Sequence, residues 1–238
     1  MTQNGSRKAV VLLSGGMDSC VCAALAARDF HAAAMHFDYG QRTERRERIA
    51  FAGICDQLGI RERMVVKSDL FRRIGGSALT DQAIAVPEAK SDLGAGGEKS
   101  DDVPVTYVPF RNAHFLSAAV SWAEVLGAGR IYIGAVEQDS SGYPDCRPAY
   151  YQAFQEVIRT GTKAGDIRIE TPLIAMRKAE IVQLGNQLGA PLDLTWSCYS
   201  EEELACGICE SCLLRLRAFE SAGVKDPIPY RKSEFQKI

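Results

Sequence analysis

Short apolar runs alternate with helically spaced apolar stripes along most of the chain. Ala9 to Leu13 is a compact apolar run, closed by Ser14-Gly15-Gly16, and predicts a buried strand. Asp18 to Arg28 is rich in alanine and has helical spacing. Ala32 to Phe37 predicts a second strand, and the charged stretch from Thr43 to about Leu58 a helix behind it. Arg63 to Val66 predicts a third strand. Asn112 to Leu126 predicts an apolar helix, Arg130 to Gly134 a fourth strand, and Pro148 to Thr160 a helix. Ile167 to Thr171 then predicts a fifth strand and Arg177 to Leu188 another helix. Strands that alternate with helices in this way form a parallel sheet covered on both faces, so the expected fold is α/β and doubly wound.

The stretch from Ser68 to Asp102 breaks the rhythm. It holds Gly75-Gly76, Pro87 and a Gly-rich run from Ser91 to Gly97, and loops of this length commonly serve as lids or linkers. No second core and no internal repeat interrupts the pattern. The expected organisation is one domain over residues 1–238, with a small metal-binding module over 195–219 inside it.

Composition narrows the class. With 28 basic and 30 acidic residues the net charge is −2, so bulk attraction to nucleic acid is not expected. A hydrophobic fraction of 46% is enough for a packed core. No apolar run is long enough to span a bilayer, and the polar start lacks the apolar region of a signal peptide. A cytoplasmic protein without membrane or nucleic-acid partners is the expectation.

Candidate chemistry begins at Ser14-Gly15-Gly16-Met17-Asp18-Ser19, between the first strand and the first helix. Open α/β sheets bind ligands beyond the carboxyl ends of their strands. Glycines there admit an anion close to the backbone, and the helix start offers unsatisfied N–H groups and a positive dipole end. The chain has neither the spacing of a nicotinamide-binding turn nor that of a lysine-bearing nucleotide loop at this place. A cradle of backbone amides and hydroxyls holds a phosphate pair without polarising a terminal phosphate.

The second constellation is Cys198, Cys206, Cys209 and Cys212, four thiols within 15 residues. Structural zinc takes four soft ligands in a closed tetrahedron. An iron–sulfur cluster is the rival, but there the fourth cysteine follows closely and precedes a proline. Here it lies upstream, and Leu213 follows Cys212, so zinc is the expected metal, in a structural role. Cys209 and Cys212 are expected one turn apart at a helix start. The remaining cysteines, and His31, His36, His114, Trp122 and Trp196, carry no ligand pattern. His31 and His36 read as packing or surface positions, and His114 and Trp122 as core.

The loop Ser14 to Ser19 resembles the signature of the PP-loop, or N-type, ATP pyrophosphatases. That resemblance implies that ATP is cleaved between its α and β phosphates and an adenylate is left on a carboxylate or carbonyl oxygen. It implies that Leu13-Ser14-Gly15-Gly16-Met17-Asp18-Ser19-Cys20-Val21-Cys22 lines the ATP site, with Asp18 orienting the loop or a Mg²⁺. Further segments resemble one branch of this family, the 7-cyano-7-deazaguanine synthases of queuosine biosynthesis. They are Asp38-Tyr39-Gly40-Gln41-Arg42, Arg111-Asn112, Ser141-Gly142-Tyr143-Pro144-Asp145-Cys146-Arg147, Lys178-Ala179-Glu180 and Cys206-Gly207-Ile208-Cys209-Glu210-Ser211-Cys212, and the match runs from Val10 to about Tyr230.

The resemblance implies 7-carboxy-7-deazaguanine, free ammonia and ATP as small-molecule substrates, and a homodimer. Asp18, Arg111 and Lys178 become the expected catalytic residues. Arg111, Asn112, Tyr143, Asp145 and Arg147 become the expected substrate contacts, Tyr143 by stacking and Asp145 by accepting from the heterocycle's N–H groups. Two departures stand out: Phe110 occupies a position where the family often has glycine, and His114 one where an aliphatic residue is expected. They leave open a related ligase that stops at the amide or joins the deazapurine to another amine. A non-catalytic zinc-stabilised binding module is the alternative from a different class.

Overall fold

The computed structural model describes residues 8–88, 103–137, 142–163 and 165–231. Five parallel strands, β1 (Lys8–Leu12), β2 (His31–Asp38), β3 (Glu62–Lys67), β4 (Arg130–Ile133) and β5 (Arg168–Glu170), form one sheet. Their spatial order is β3-β2-β1-β4-β5. The chain therefore builds outward from β1 in one direction, then returns and builds in the other. Register is set by the apolar runs: Val10 faces Ala33 of β2 on one side and Ile131 of β4 on the other.

Successive residues of β1 point to opposite faces, and both faces are covered. Ala9, Val11 and Leu13 enter a core shared with α1 (Met17–Asp29), α2 (Glu44–Gln57) and α6 (Lys178–Leu188), which extends to α7 (Glu210–Ser221). Val10 and Leu12 enter the opposite core, under α4 (Arg111–Leu126) and α5 (Pro148–Gly161). The alanines of α1 let that helix lie close on the sheet, so Cys20, Val21, Cys22 and Ala23 have no exposure at all.

The strands and long helices fall where periodicity places them. The irregular stretch after β3 contains one element that the pattern does not reveal, α3 (Leu70–Ile74), a single turn or so anchored by buried Phe71. Arg42 then ties down the chain that follows, donating to the carbonyls of Ala78, Asp81 and Ile84 at 2.7–2.9 Å. The Gly-rich part of the expected lid, 91–97, lies outside the described residues, as do Ser140 and Ser141. Among the described residues no helix is long and apolar enough to cross a membrane.

His114 is not the core residue its apolar helix led us to expect. It is exposed and meets the ring of Phe71 edge-on at 5.1 Å, because α4 turns its Leu116 and Ala119 face inward. Trp122 is partly buried against the core beneath α4.

Candidate active site

The strand order reverses at β1, and the cleft this opens lies beyond the ends of β1 and β4. A cavity of about 310 Å³ occupies it. One wall is the expected phosphate loop: Leu13, Ser14, Gly16, Met17, Asp18 and Ser19 line the cavity. Gly15 turns the chain at φ +92°, and a Cβ there would lie 2.8 Å from the carbonyl oxygen of Glu47, so α2 packs directly behind the loop. Ser19 Oγ bonds the Gly16 carbonyl at 2.9 Å and meets Ser14 Oγ at 3.0 Å. The first turn of α1, whose N–H groups have no partner within the helix, thus borders the cavity. Cys20, Val21 and Cys22, which the family resemblance assigns to the ATP site, lie on the buried side of α1 and do not line the cavity.

Lys178, the first residue of α6, reaches across to Asp18 and forms an ion pair with its Oδ2. The Arg177 backbone N–H donates to Glu180 Oε2 at 2.7 Å, which caps α6 and fixes where Lys178 leaves the helix. Asp18 Oδ1 is buried and has no hydrogen-bond partner among the described residues. An orphaned carboxylate oxygen beside a phosphate cradle fits an oxygen-liganded divalent cation such as Mg²⁺.

The opposite wall comes from α4 and from the turn before α5. Arg111 opens α4, donates from Nη1 to the Tyr39 hydroxyl at 3.0 Å, and lies 5.5 Å and 5.7 Å from the rings of Tyr39 and Phe115. Its Nε has no partner among the described residues. Tyr143 lines the cavity, its hydroxyl held by Thr106 at 2.9 Å. Asn112 also lines it and is locked to Asp145 through two bonds of 3.1 Å.

Asp145 and Arg147 take up other positions. Asp145 is buried behind Asn112 and Arg147 is exposed at the start of α5, and neither lines the cavity. Burial raises the Asp145 carboxyl, opposed by the Asn112 N–H and by Arg111. Phe110 adopts φ 57°, the left-handed conformation that glycine favours, at the residue before α4. Phe110 is 59% exposed, meets the Tyr150 ring edge-on at 6.4 Å, and is not among the described residues that line the cavity.

The four cysteines converge. Their sulfurs all lie within 4.8 Å of one another, and Cys206 and Cys212 Sγ are 3.8 Å apart. Sulfurs at the corners of a tetrahedron about 2.3 Å from zinc lie about 3.8 Å apart, so the separation fits. Cys198 Sγ accepts N–H groups of Ser200, Glu201 and Cys206 at 3.3–3.4 Å, and Cys206 Sγ accepts that of Cys209 at 3.3 Å. Such donors stabilise thiolates, the form that binds metal. Cys209 precedes α7 and Cys212 lies within its first turn, as the spacing predicts.

Several lining residues were not among the site residues expected from the sequence. Tyr199, Ser197 and Ser211 reach the cavity from the cysteine module. The module is joined to the phosphate loop, for the Trp196 N–H donates to the Gly15 carbonyl at 2.8 Å. Buried Arg215 holds Thr195, Ser197 and Asp226 together from α7. Gly134 follows β4 and packs against the loop, where a Cβ would lie 2.8 Å from Asp18 C and Ser19 N. Its place at a strand end beside the reversal point was the one available clue. Glu47 was concealed in a charged helix that reads as a solvated face.

Comparison with known proteins identifies the family. The family model described as "Queuosine biosynthesis protein QueC" matches residues 8–223. A 7-cyano-7-deazaguanine synthase of Acidobacterium capsulatum is 69% identical over 223 residues, 94% of this chain and 96% of the relative. The enzyme of the same name from Koribacter versatilis is 64% identical over 226 residues, covering 94% and 93%. That of Chlorobium phaeobacteroides is 57% identical over 227 residues, covering 94% and 97%. A family model that matches nearly the whole chain, and this degree of identity along nearly the whole length, lead to one conclusion: the chain belongs to the QueC family of queuosine biosynthesis proteins.

Proposed function

We infer that the chain is a 7-cyano-7-deazaguanine synthase, an ATP-dependent ligase that converts 7-carboxy-7-deazaguanine and ammonia to the nitrile. One observation carries this reading beyond kinship. A single cavity joins the anion cradle of α1 to a wall bearing Arg111 and Tyr143, so a nucleotide and an acidic aromatic substrate can meet there.

The backbone amides of Ser14 to Ser19 hold the departing pyrophosphate, and Lys178 offsets its charge once an anion competes for its pairing with Asp18. Arg111, steadied by the Tyr39 hydroxyl, orients the substrate carboxylate toward the α phosphorus. A carboxylate oxygen attacks, pyrophosphate leaves, and ammonia then displaces AMP to give the amide. The amide oxygen then attacks the α phosphorus of a second ATP, pyrophosphate leaves, and loss of AMP with the two protons on nitrogen gives the nitrile. Small molecules supply every nucleophile, so no protein nucleophile is required. Mg²⁺, held in part by Asp18 Oδ1, would neutralise phosphate charge. Zinc on Cys198, Cys206, Cys209 and Cys212 would supply structure alone, since four thiolates leave no open position.

The same reading takes the protein as a cytoplasmic homodimer with small-molecule partners, without nucleic acid or membrane. Phe110, which is not among the described residues that line the cavity, argues against a pocket reshaped for another amine acceptor. The test is incubation with ATP, ammonium and 7-carboxy-7-deazaguanine followed by mass spectrometry. Amide and then nitrile are expected, and an accumulating amide with no nitrile would refute the assigned product. Gly134→Ala should lower turnover by about 100-fold, because its methyl group must displace the loop backbone at Asp18 and Ser19. Steady-state kinetics across ATP concentration will report it.

A further inference from the structure

The reaction consumes ammonia, yet at neutral pH nearly all of it is ammonium, which has no lone pair to attack with. A site that uses ammonium therefore needs a base. Two acidic side chains, Asp18 and Glu47, line the described cavity, and no histidine does. Asp18 is already paired with Lys178. Glu47 is in no ion pair within 4.0 Å among the described residues, and it is mostly buried.

Its carboxylate is held in a fixed orientation. Oε1 accepts the Thr43 hydroxyl at 2.9 Å and Oε2 accepts Gln41 Nε2 at 3.0 Å. Gln41 is itself held, donating to the Phe37 carbonyl at 3.1 Å and accepting the Tyr39 N–H at 2.8 Å. The Asp38-Tyr39-Gly40-Gln41-Arg42 segment thus builds a bracket for one carboxylate, whose two oxygens keep lone pairs free.

We propose that Glu47 is the ammonium-binding general base of this enzyme, an assignment that rests on the ammonia-dependent reaction inferred above. Ammonium gives one proton to the Glu47 carboxylate. The ammonia so formed attacks the carbonyl carbon of the acyl adenylate, the C–N bond forms, and the C–O bond to AMP breaks. The electron pair stays on the AMP oxygen, and the second proton lost by nitrogen goes to the departing phosphate.

The electrostatics suit this task. Burial pushes the Glu47 carboxyl up to about 7, against the pull of the Thr43 and Gln41 hydrogen bonds and the Arg111 charge, while Asp38 raises it further. A base poised near the working pH accepts and releases protons most effectively. Other groups on the wall are poorer candidates, since burial pushes Tyr39 to about 12 and Cys146 to about 11. The Arg111 guanidinium on α4 also disfavours a second cation beside it, which favours loss of the ammonium proton.

The test compares nucleophiles in Glu47→Gln. Wild-type enzyme must first show pyrophosphate exchange that depends on the deazaguanine acid, a step without ammonia. Absence of that exchange would count against the proposed function and not against Glu47. In the variant, ammonium-dependent amide formation at pH 7 should fall by about 100-fold or more, while hydroxamate formation from hydroxylamine, whose free base predominates there, stays within about threefold. Raising the pH should restore ammonium use, because solvent then supplies free ammonia. Retained ammonium use, or equal loss of both nucleophiles or of exchange, overturns the proposal. Should the variant fail to fold, the wild type decides alone. Between about pH 7 and 8.5 its kcat/KM for total ammonium should rise by no more than about twofold, as the last Glu47 carboxyls ionise, whereas a roughly tenfold rise per unit would show that no protein base acts.

Discussion

Arg111→Ala is expected to lower substrate-dependent pyrophosphate exchange by about 10²–10³-fold, the usual cost of removing a donor aimed at developing charge. The side chain is held on three sides: by the Tyr39 hydroxyl at 3.0 Å and by the rings of Tyr39 and Phe115. Its Nε is buried with no protein partner among the described residues, and an unpaired buried donor is costly unless a ligand completes it. The start of α4 adds the positive end of a helix dipole at the same place. Arg111→Lys keeps the charge and loses the planar fork, so it should recover only part of the activity. Circular dichroism and a melting curve will separate chemistry from folding, since buried Asp145 also loses a neighbouring cation. Exchange within about threefold of wild type in Arg111→Ala would remove Arg111 from the mechanism.

Cys209→Ser, or extraction of the metal by a chelator, is expected to cause the largest loss of stability. Structural zinc contributes about 10–16 kcal/mol in small finger peptides. A third of that would lower the Tm of a chain this size by roughly 7–20 °C. The damage should reach the nucleotide site. The Trp196 N–H is bonded to the Gly15 carbonyl, Arg215 grips Thr195 and Ser197 from α7, and the cysteine cluster holds that helix start in place. Loss of metal should therefore weaken ATP binding as well as melt the module. Calorimetry with metal analysis, and nucleotide titration of the stripped protein, will measure both effects. An unchanged Tm after complete metal removal would show that the thiols pack without an ion.

Much of the fold was legible because short apolar runs, which mark buried strands, alternate with helical stripes of ten or more residues. All five strands and the long helices could be placed from apolar spacing. Short elements escaped. Leu70–Ile74 is one turn in polar surroundings, and Pro144–Cys146 and Leu192–Leu194 are shorter still, so none has a period to read. The helix of His114 was legible but its angle of rotation was not, since an apolar helix looks alike from several sides and only packing chose which face to bury.

At the site, the residues Ser14 to Ser19 and the four cysteines were determined by the sequence alone. Each is a local device: a strand-to-helix turn whose first N–H groups have no partner within the helix, and thiols whose spacing lets their sulfurs come within 4.8 Å of one another. The rest was decided by tertiary structure. Glu47, Gly134 and Tyr199 come from a helix after β2, the residue after β4 and the cysteine module, and they meet only because strand order reverses at β1. Sheet order sets distances of a few ångströms between residues far apart in the chain, and no spacing along the chain encodes it. The same packing buried Cys20 to Cys22 and left Arg147 in solvent, because a motif specifies residue types while the direction of each side chain is settled by what it packs against.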